Sequence, residues 1–406
     1  MQHKSLWSVA PLFLVLAIDS MGLGILFPIL SSMIIDNSSP FLAVTVSPFT
    51  RELLYGMIIG IYMICWFIGA GMLGDFSDIV GRKKALMICL VGGCLGYFIS
   101  AIAIIIHSVS LLIIGRIIAG FTAGSQPIAQ AAIIDISPEN HRARNIGYIL
   151  LAVSIGFVIG PLAGGILSNT AWVSWFNFAT PMWFAGIASL FNAAYLFWCF
   201  SETFTVTRHV KLRLHYAIQI FIEAFKHQRI RFLSVILLIF IAGWSEYFSF
   251  IAQFLLRYYN YSTLNTSLFI TVLAVGFSIG FAVLVEPCTK WFGNKRCVVG
   301  GLGIGAALCL ITATVPLQWL TWISAVFIGM SVAVAYSVLI TIFSNQVDST
   351  EQGWVMGVTS AIMALSFGVA TFLSGFAADF GAAMPIIMAF IGMLISAILM
   401  SFTKTQ

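Results

Sequence analysis

Between short charged breaks, the 406-residue sequence consists of apolar runs about as long as a lipid bilayer is thick. Roughly 20 apolar residues are needed for a helix to cross the hydrocarbon core. Cutting at the charged or turn-rich breaks gives twelve such runs. They fall at 7–34, 53–74, 85–107, 109–135, 144–168 and 178–200, then at 232–256, 264–286, 297–315, 318–345, 353–377 and 382–402. With 60% hydrophobic and 8% charged residues, against about 25% charged in a soluble domain, the chain has too much apolar surface for one water-soluble core. The first run, from Trp7, is too long for a cleaved signal peptide and is read as a helix.

Several function classes drop out. The net charge of +5 is spread over short loops, which is no nucleic-acid footprint. The seven cysteines sit in or beside apolar runs without metal-ligand spacing and read as small core residues. The sequence has no nucleotide-binding loop, metal cluster or nucleophile–base arrangement, so the expectation is a non-enzyme without cofactor or metal. His107 reads as structural.

Basic residues set orientation, because lysine and arginine stay on the cytoplasmic side. With both termini placed inside, sixteen of the nineteen fall in cytoplasmic segments, from Lys4 and Arg82-Lys83-Lys84 through Arg142, Arg144, Arg208, Lys211 and Arg213 to Lys404. Arg51 and Arg257 fall outside, and Arg116 lies within a run. The expected protein is a multi-pass one of the bacterial inner membrane with cytoplasmic termini, working as a monomer in lipid.

The polar stretch Ser201–Arg231 divides the runs into two sets of six. The expected domains are an N-terminal six-helix bundle (1–200), a cytoplasmic central loop (201–231) and a C-terminal six-helix bundle (232–406). An amphipathic helix around Tyr216–Phe225 would lie at the membrane surface. Gly81-Arg-Lys-Lys84 after the second run is echoed by Gly293-Asn-Lys-Arg296 after the eighth, and Gly147 by Gly357. The predicted fold is an all-α membrane protein, with twelve transmembrane helices in two pseudo-symmetric six-helix bundles around a central cavity.

Three motifs stand in order along this frame. Gly74, Asp78 and Gly81-Arg82-Lys83 lie between the second and third runs. Arg116 with Gly120 and Gly124 lies in the fourth, and Gly156-x-x-x-Gly160-Pro161-x-x-Gly164-Gly165 in the fifth. Together they resemble the signatures of the major facilitator superfamily, the last being similar to the fifth-helix motif of its proton-driven antiporters. Asp19-Ser-Met-Gly-Leu-Gly-Ile-Leu-Phe-Pro28, Arg142-Ala-Arg144-Asn, Ser201-Glu-Thr203, Gln346-Val-Asp348 and Gln352-Gly353 resemble the twelve-span drug:proton antiporters, especially the tetracycline-efflux branch. Those exporters carry further acids in their third and ninth helices. Here the corresponding runs have none, and Glu246 stands in the seventh.

The resemblance implies a proton-coupled secondary transporter working by alternating access. The first reading is an antiporter exporting a small organic or amphiphilic molecule. The alternatives are a proton-driven symporter importing a nutrient or iron chelate, and a lipid translocator or non-transporting sensor. A charge at helix centre costs about 2.5–3.5 kcal/mol on insertion scales, so Asp19, Arg116 and Glu246 are the proton-coupling candidates. Burial and a guanidinium act in opposite directions on a carboxyl. Asp19 beside Arg116 would therefore either exchange a proton or form a permanent salt bridge between runs one and four. By pseudo-symmetry Glu246 either faces Asp19 across the cavity or is hydrogen-bonded to a neighbour such as Gln253. Gln126, Gln130, Trp244, Tyr247, Gln253 and Tyr336, with Asn192, are candidates to line the substrate cavity by stacking and hydrogen bonding. Asp78 and Arg82, with Gly74, Gly81 and Asp135, read as a cytoplasmic gate in which Arg82 pairs with Asp135 and Asp78 meets run eleven near Gly353, or else as topology markers. The stripe Gly156, Gly160 and Gly164 is where another helix approaches closely, with Pro161 kinking the helix at that seam.

Overall fold

The computed structural model describes residues 6–136, 142–203, 216–315, 317–348 and 351–403. These residues are helical almost throughout, with no strand among them. That is the expected answer to a solvent offering the backbone no hydrogen-bond partners, where each segment must satisfy its own amides and carbonyls. Among the described residues, twelve helices are long and apolar enough to cross a membrane. Spans one to six are Val9–Ile35, Pro48–Val80, Arg82–Ile105, Val109–Asp135, Tyr148–Leu167 and Thr180–Cys199. Spans seven to twelve are Arg231–Tyr259, Thr263–Phe292, Asn294–Thr314, Gln318–Asn345, Trp354–Phe380 and Met384–Ser401. Span three exposes Ile88, Val91, Leu95 and Ile102 along one side. Such a stripe on a helix in water would be a liability, and here it is the face offered to lipid.

Span two is longer than predicted at both ends. The sequence rule stops a span at charge, but Arg51 and Glu52 at one end and Asp75 and Asp78 at the other continue the helix. Arg51 is buried because its guanidinium satisfies the carbonyls of the preceding turn, donating to Ile34 at 2.8 Å and Ala43 at 3.0 Å.

Contacts divide the chain into two compact units. One holds Met1–Ile29, Pro40–Leu42 and Ile61–Ala217; the other holds Leu30–Ser39, Ala43–Gly60 and Ile218–Gln406. In the first unit, span three packs against spans four and six. Its core gathers Leu12, Leu16, Leu86, Cys89, Ile128 and Leu196 from four spans. In the second unit, span nine packs in the same way against spans ten and twelve, and span seven against eleven and twelve. The sequence repeat therefore has a structural counterpart. It reaches the loops: Gly81 and Gly293 adopt the same unusual backbone, with φ of 96° and 77° and ψ of 154° and 159°. Side chains rarely tolerate that region, which is why glycine opens both loops.

The amphipathic linker helix is Tyr216–Lys226. Lys4, Arg208, Lys211, Arg213 and Lys404 lie outside the described residues, as do the side chains of Arg142, Arg144, Gln352 and the surroundings of Gly147 and Gly353.

Candidate functional site

Span four is not one continuous helix. It runs Val109–Thr122, turns at Ala123-Gly124, and resumes as Ser125–Asp135. Pro127 has no amide hydrogen to bond back across the turn, so the break falls where the backbone has least to lose. It separates two polar side chains. Arg116 lies before it; Ser125, first in the resumed helix, lies after it and donates its hydroxyl to an Asp19 carboxylate oxygen. Asp19 also sits near the amino end of a helix, where the backbone dipoles favour negative charge. Although mid-span, Asp19 is only partly buried.

Arg116 is 1% exposed and makes no ion pair with Asp19. The permanent salt bridge between spans one and four is therefore not formed. The arginine instead lies over the Tyr62 ring, 4.2 Å from guanidinium carbon to centroid, with its Nε and Nη1 lacking hydrogen-bond partners. Asp19 and Arg116 each act electrostatically on both Tyr62 and Tyr97. The two phenols are thus the neighbours that both charges share. A methyl group at Gly22, one turn from Asp19, would overlap the Tyr97 hydroxyl.

The glycine stripe of span five lies on span one, on both sides of Asp19. A Cβ at Gly160 would stand 2.6 Å from the Met21 carbonyl and 3.1 Å from the Gly24 backbone, and one at Gly164 would stand 2.7 Å from the Ile25 carbonyl. Gly156 meets Ala17 and Ser20 in the same way. Pro161 fills the space that Gly24 leaves, and helix Arg142–Leu167 continues through it. Gly165 is buried beside this seam.

At the far ends of spans two to four, Arg82 binds Asp78 at 2.6 Å and Asp135 at 3.3 Å, and donates to the Ser77 hydroxyl. Glu202, after span six, accepts from the backbone amides of Arg82 at 2.9 Å and Lys83 at 3.0 Å. Its carboxylate caps span three from the side that the hydrogen of Gly81 leaves open. Gly74 has open space around it.

In the second unit Glu246 is 3% exposed, and one of its oxygens has no hydrogen-bond partner. Its neighbour is Ser374 of span eleven. Gln253, expected beside Glu246, lies instead against Glu52. Trp244 and Tyr247 stack at 6.0 Å, and Trp244 also meets Phe248 at 5.4 Å and Phe277 at 5.1 Å. Of the six cavity-lining candidates, Trp244, Tyr247 and Gln253 are closed inside this unit, because aromatic packing covers the first two and span two the third. Gln126, Gln130 and Tyr336 keep partial exposure, the last donating to the Met363 sulfur at 3.4 Å. Asn192 is spent on structure, donating to the Pro11 carbonyl at 3.3 Å. Among the described residues there is no group that could hold a metal ion.

Residues 12–371 match the Major Facilitator Superfamily. The chain belongs to that superfamily. Tetracycline resistance protein, class C, of Escherichia coli is 25% identical over 352 residues, 86% of this chain and 84% of that one. Multidrug resistance protein 2 of Bacillus subtilis (strain 168) is 24% identical over 317 residues, 76% of each chain. The solved structure of a D-xylose-proton symporter superposes with a TM-score of 0.74 at 16% identity, over 97% of this chain and 95% of that one. A likeness at that identity concerns the fold alone.

For this facilitator, sequence reasoning singled out Asp19, Arg116, Glu246 and the glycine stripe, and the structure brings Asp19, the stripe and the Arg116 neighbourhood into one unit. It missed Ser125, Tyr62, Tyr97, Glu52 and the capping role of Glu202. A signal for the first was present: an apolar span carrying Gly124-Ser125-x-Pro127 contains the spelling of a helix start.

Proposed function

We propose that this facilitator is a proton-coupled antiporter that exports a small organic or amphiphilic molecule by alternating access. One observation carries the reading: a mid-span carboxylate, Asp19, held by a hydroxyl at a helix break, with no cation paired to it among the described residues and with part of its surface accessible. A carboxyl so placed can take up and release a proton without breaking an ion pair. The glycine seam on either side of it gives span one a close, smooth partner, which suits a barrier against proton leak. The similarity to tetracycline and multidrug resistance proteins supports export.

In the proposed orientation both termini are cytoplasmic, following the basic residues, and the Arg82–Asp78–Asp135 cluster is the cytoplasmic gate. A proton entering down 100 mV releases roughly 2.3 kcal/mol, enough to drive a modest solute gradient. The protein acts as a monomer in the bacterial inner membrane and needs no cofactor beyond the proton gradient.

A second reading is favoured by one feature. Spans three and nine contain no acidic residue, unlike the exporters that the sequence resembles, and this is compatible with a proton-driven importer. Proteoliposomes under an imposed pH gradient, challenged with a mixed panel of solutes, separate the two. Opposite movement of solute and proton supports export, and parallel movement supports import.

A further inference from the structure

Between spans six and seven the charges are one-sided. Residues 203–245 include six lysines and arginines against a single acid, Glu223. The linker helix Tyr216–Lys226 stands in this stretch, just before span seven begins at Arg231. The join between them is short and bonded. The His227 amide donates to the Glu223 carbonyl at 2.9 Å and closes the helix, while the His227 carbonyl accepts from the Arg231 amide at 2.9 Å and opens the span.

One side of the linker helix is fastened to its own unit. Ala224 is fully buried, and the Ser234 hydroxyl of span seven donates to its carbonyl at 3.1 Å. At the start of span eleven, the Trp354 indole donates to the Glu223 carboxylate at 3.4 Å, and its ring meets the His227 ring at 5.2 Å. The single acid of the stretch is therefore turned to span eleven. The other side of the helix carries Ile218, Ile222 and Lys226, which follow at intervals of four, share a face and are all exposed. Phe221 and Phe225, in contact at 5.1 Å, flank this row half-buried. Arg229 and Arg231 are exposed as well, and the exposed Phe232 and Val235 carry the apolar surface on along span seven. Lys226 and Arg229 line a cavity of about 500 Å3 with His227, Gln228, Asp348 and Glu351. Among the described residues, Lys226, Arg229 and Arg231 nevertheless make no ion pair. An apolar row that ends in unpaired cations, beside the lipid-facing flank of a span, is complementary to an anionic membrane surface.

We propose that the linker helix and the start of span seven form a docking surface for the anionic phospholipids of the inner leaflet. Ile218 and Ile222 dip among the upper acyl chains, and Lys226, Arg229 and Arg231 take the headgroup phosphates. The helix that the lipid holds down is the one that grips Trp354. Lipid charge therefore sets how firmly the start of span eleven is tied to span seven. The inference rests on the membrane orientation proposed above, and not on proton coupling or the direction of transport.

The test uses the full chain in lipid nanodiscs, with hydrogen exchange of residues 216–232 read by mass spectrometry. Discs of phosphatidylcholine alone are compared with discs that also contain phosphatidylglycerol. Each cation near an anionic surface strengthens attachment about fivefold, so three should slow exchange of the helix about tenfold or more in the anionic discs. High salt should shrink this difference. The triple variant Lys226→Gln, Arg229→Gln, Arg231→Gln is expected to lose it, and the charge-keeping triple Lys226→Arg, Arg229→Lys, Arg231→Lys to retain it. Equal exchange in the two kinds of disc, or a difference that survives in the neutral triple variant, overturns the proposal. Protection that follows the number of chains per disc rather than lipid charge overturns it in favour of a second copy of this chain. If the neutral variant does not insert, the wild type decides alone, and a difference unchanged by high salt overturns the proposal. Both leaflets of a disc carry the same lipids, so the result does not depend on orientation or transport. Protease access to the linker in sealed vesicles scores the orientation separately, and solute-driven proton flux scores antiport.

Discussion

The Ser125 hydroxyl donates to the Asp19 carboxylate across the break in span four. This single contact ties the mid-span acid of helix one to a helix start rather than to Arg116. If it positions Asp19 for proton exchange, Ser125→Ala should lower proton-coupled flux about tenfold, the worth of one hydrogen bond to a charged group, and Ser125→Thr should keep most of it. Flux in proteoliposomes checks this, and equal rates for Ser125→Ala and wild type would remove Ser125 from the mechanism.

Arg116 is held by the face of Tyr62, not by an acid. Tyr62→Phe keeps that face and should leave thermal stability in detergent close to wild type. Tyr62→Leu loses it and should cost about 2 kcal/mol, the worth of a desolvated cation–π contact. Equal melting of the two variants would mean that the ring contributes only volume.

Gly160→Leu should force spans one and five apart, since even a Cβ there meets the Met21 carbonyl at 2.6 Å. Overpacking of this kind costs about 1–3 kcal/mol. The expected readouts are lower thermal stability and faster passive proton entry into vesicles. Wild-type tightness and melting would sink the seam argument.

Gly81→Ala places a methyl group where Glu202 caps span three, at a φ of 96°. The expected loss is about 1–3 kcal/mol from backbone strain, with a smaller loss for Glu202→Gln, which keeps an acceptor but not the charge. Thermal melting of the two variants reads this directly, and a Gly81→Ala protein as stable as wild type contradicts it.

Much of the fold was legible because a membrane span announces itself by length and apolarity. Most span boundaries agree with the predicted ones to within a few residues. Spans two and eight run past the expected ends, through charged residues, and span two shows the limit of the rule. A rule that ends a helix at charge puts Arg51 and Glu52 outside the span, although Arg51 finds carbonyls to bind and Glu52 finds Arg257. Asp19 and Glu246 were visible for the same reason, as isolated charges inside long apolar runs. Their partners were not. Ser125, Ser374 and Tyr62 are ordinary residues for a span, and only the packing of distant helices makes them neighbours of a charge. The Asp19–Arg116 pair failed because two charges on neighbouring helices need not point at each other, and it is Ser125, just after the turn at Ala123-Gly124, that reaches Asp19.

The most direct test of the account is proton movement in oriented proteoliposomes under an imposed pH gradient, for wild type and Asp19→Asn, with a mixed panel of small organic solutes outside and inside. The account predicts that wild type couples inward proton flow to outward movement of a solute. It predicts that Asp19→Asn, folded and inserted, loses that coupling. Undiminished uphill solute movement in Asp19→Asn, or solute and proton crossing together in wild type, would contradict it.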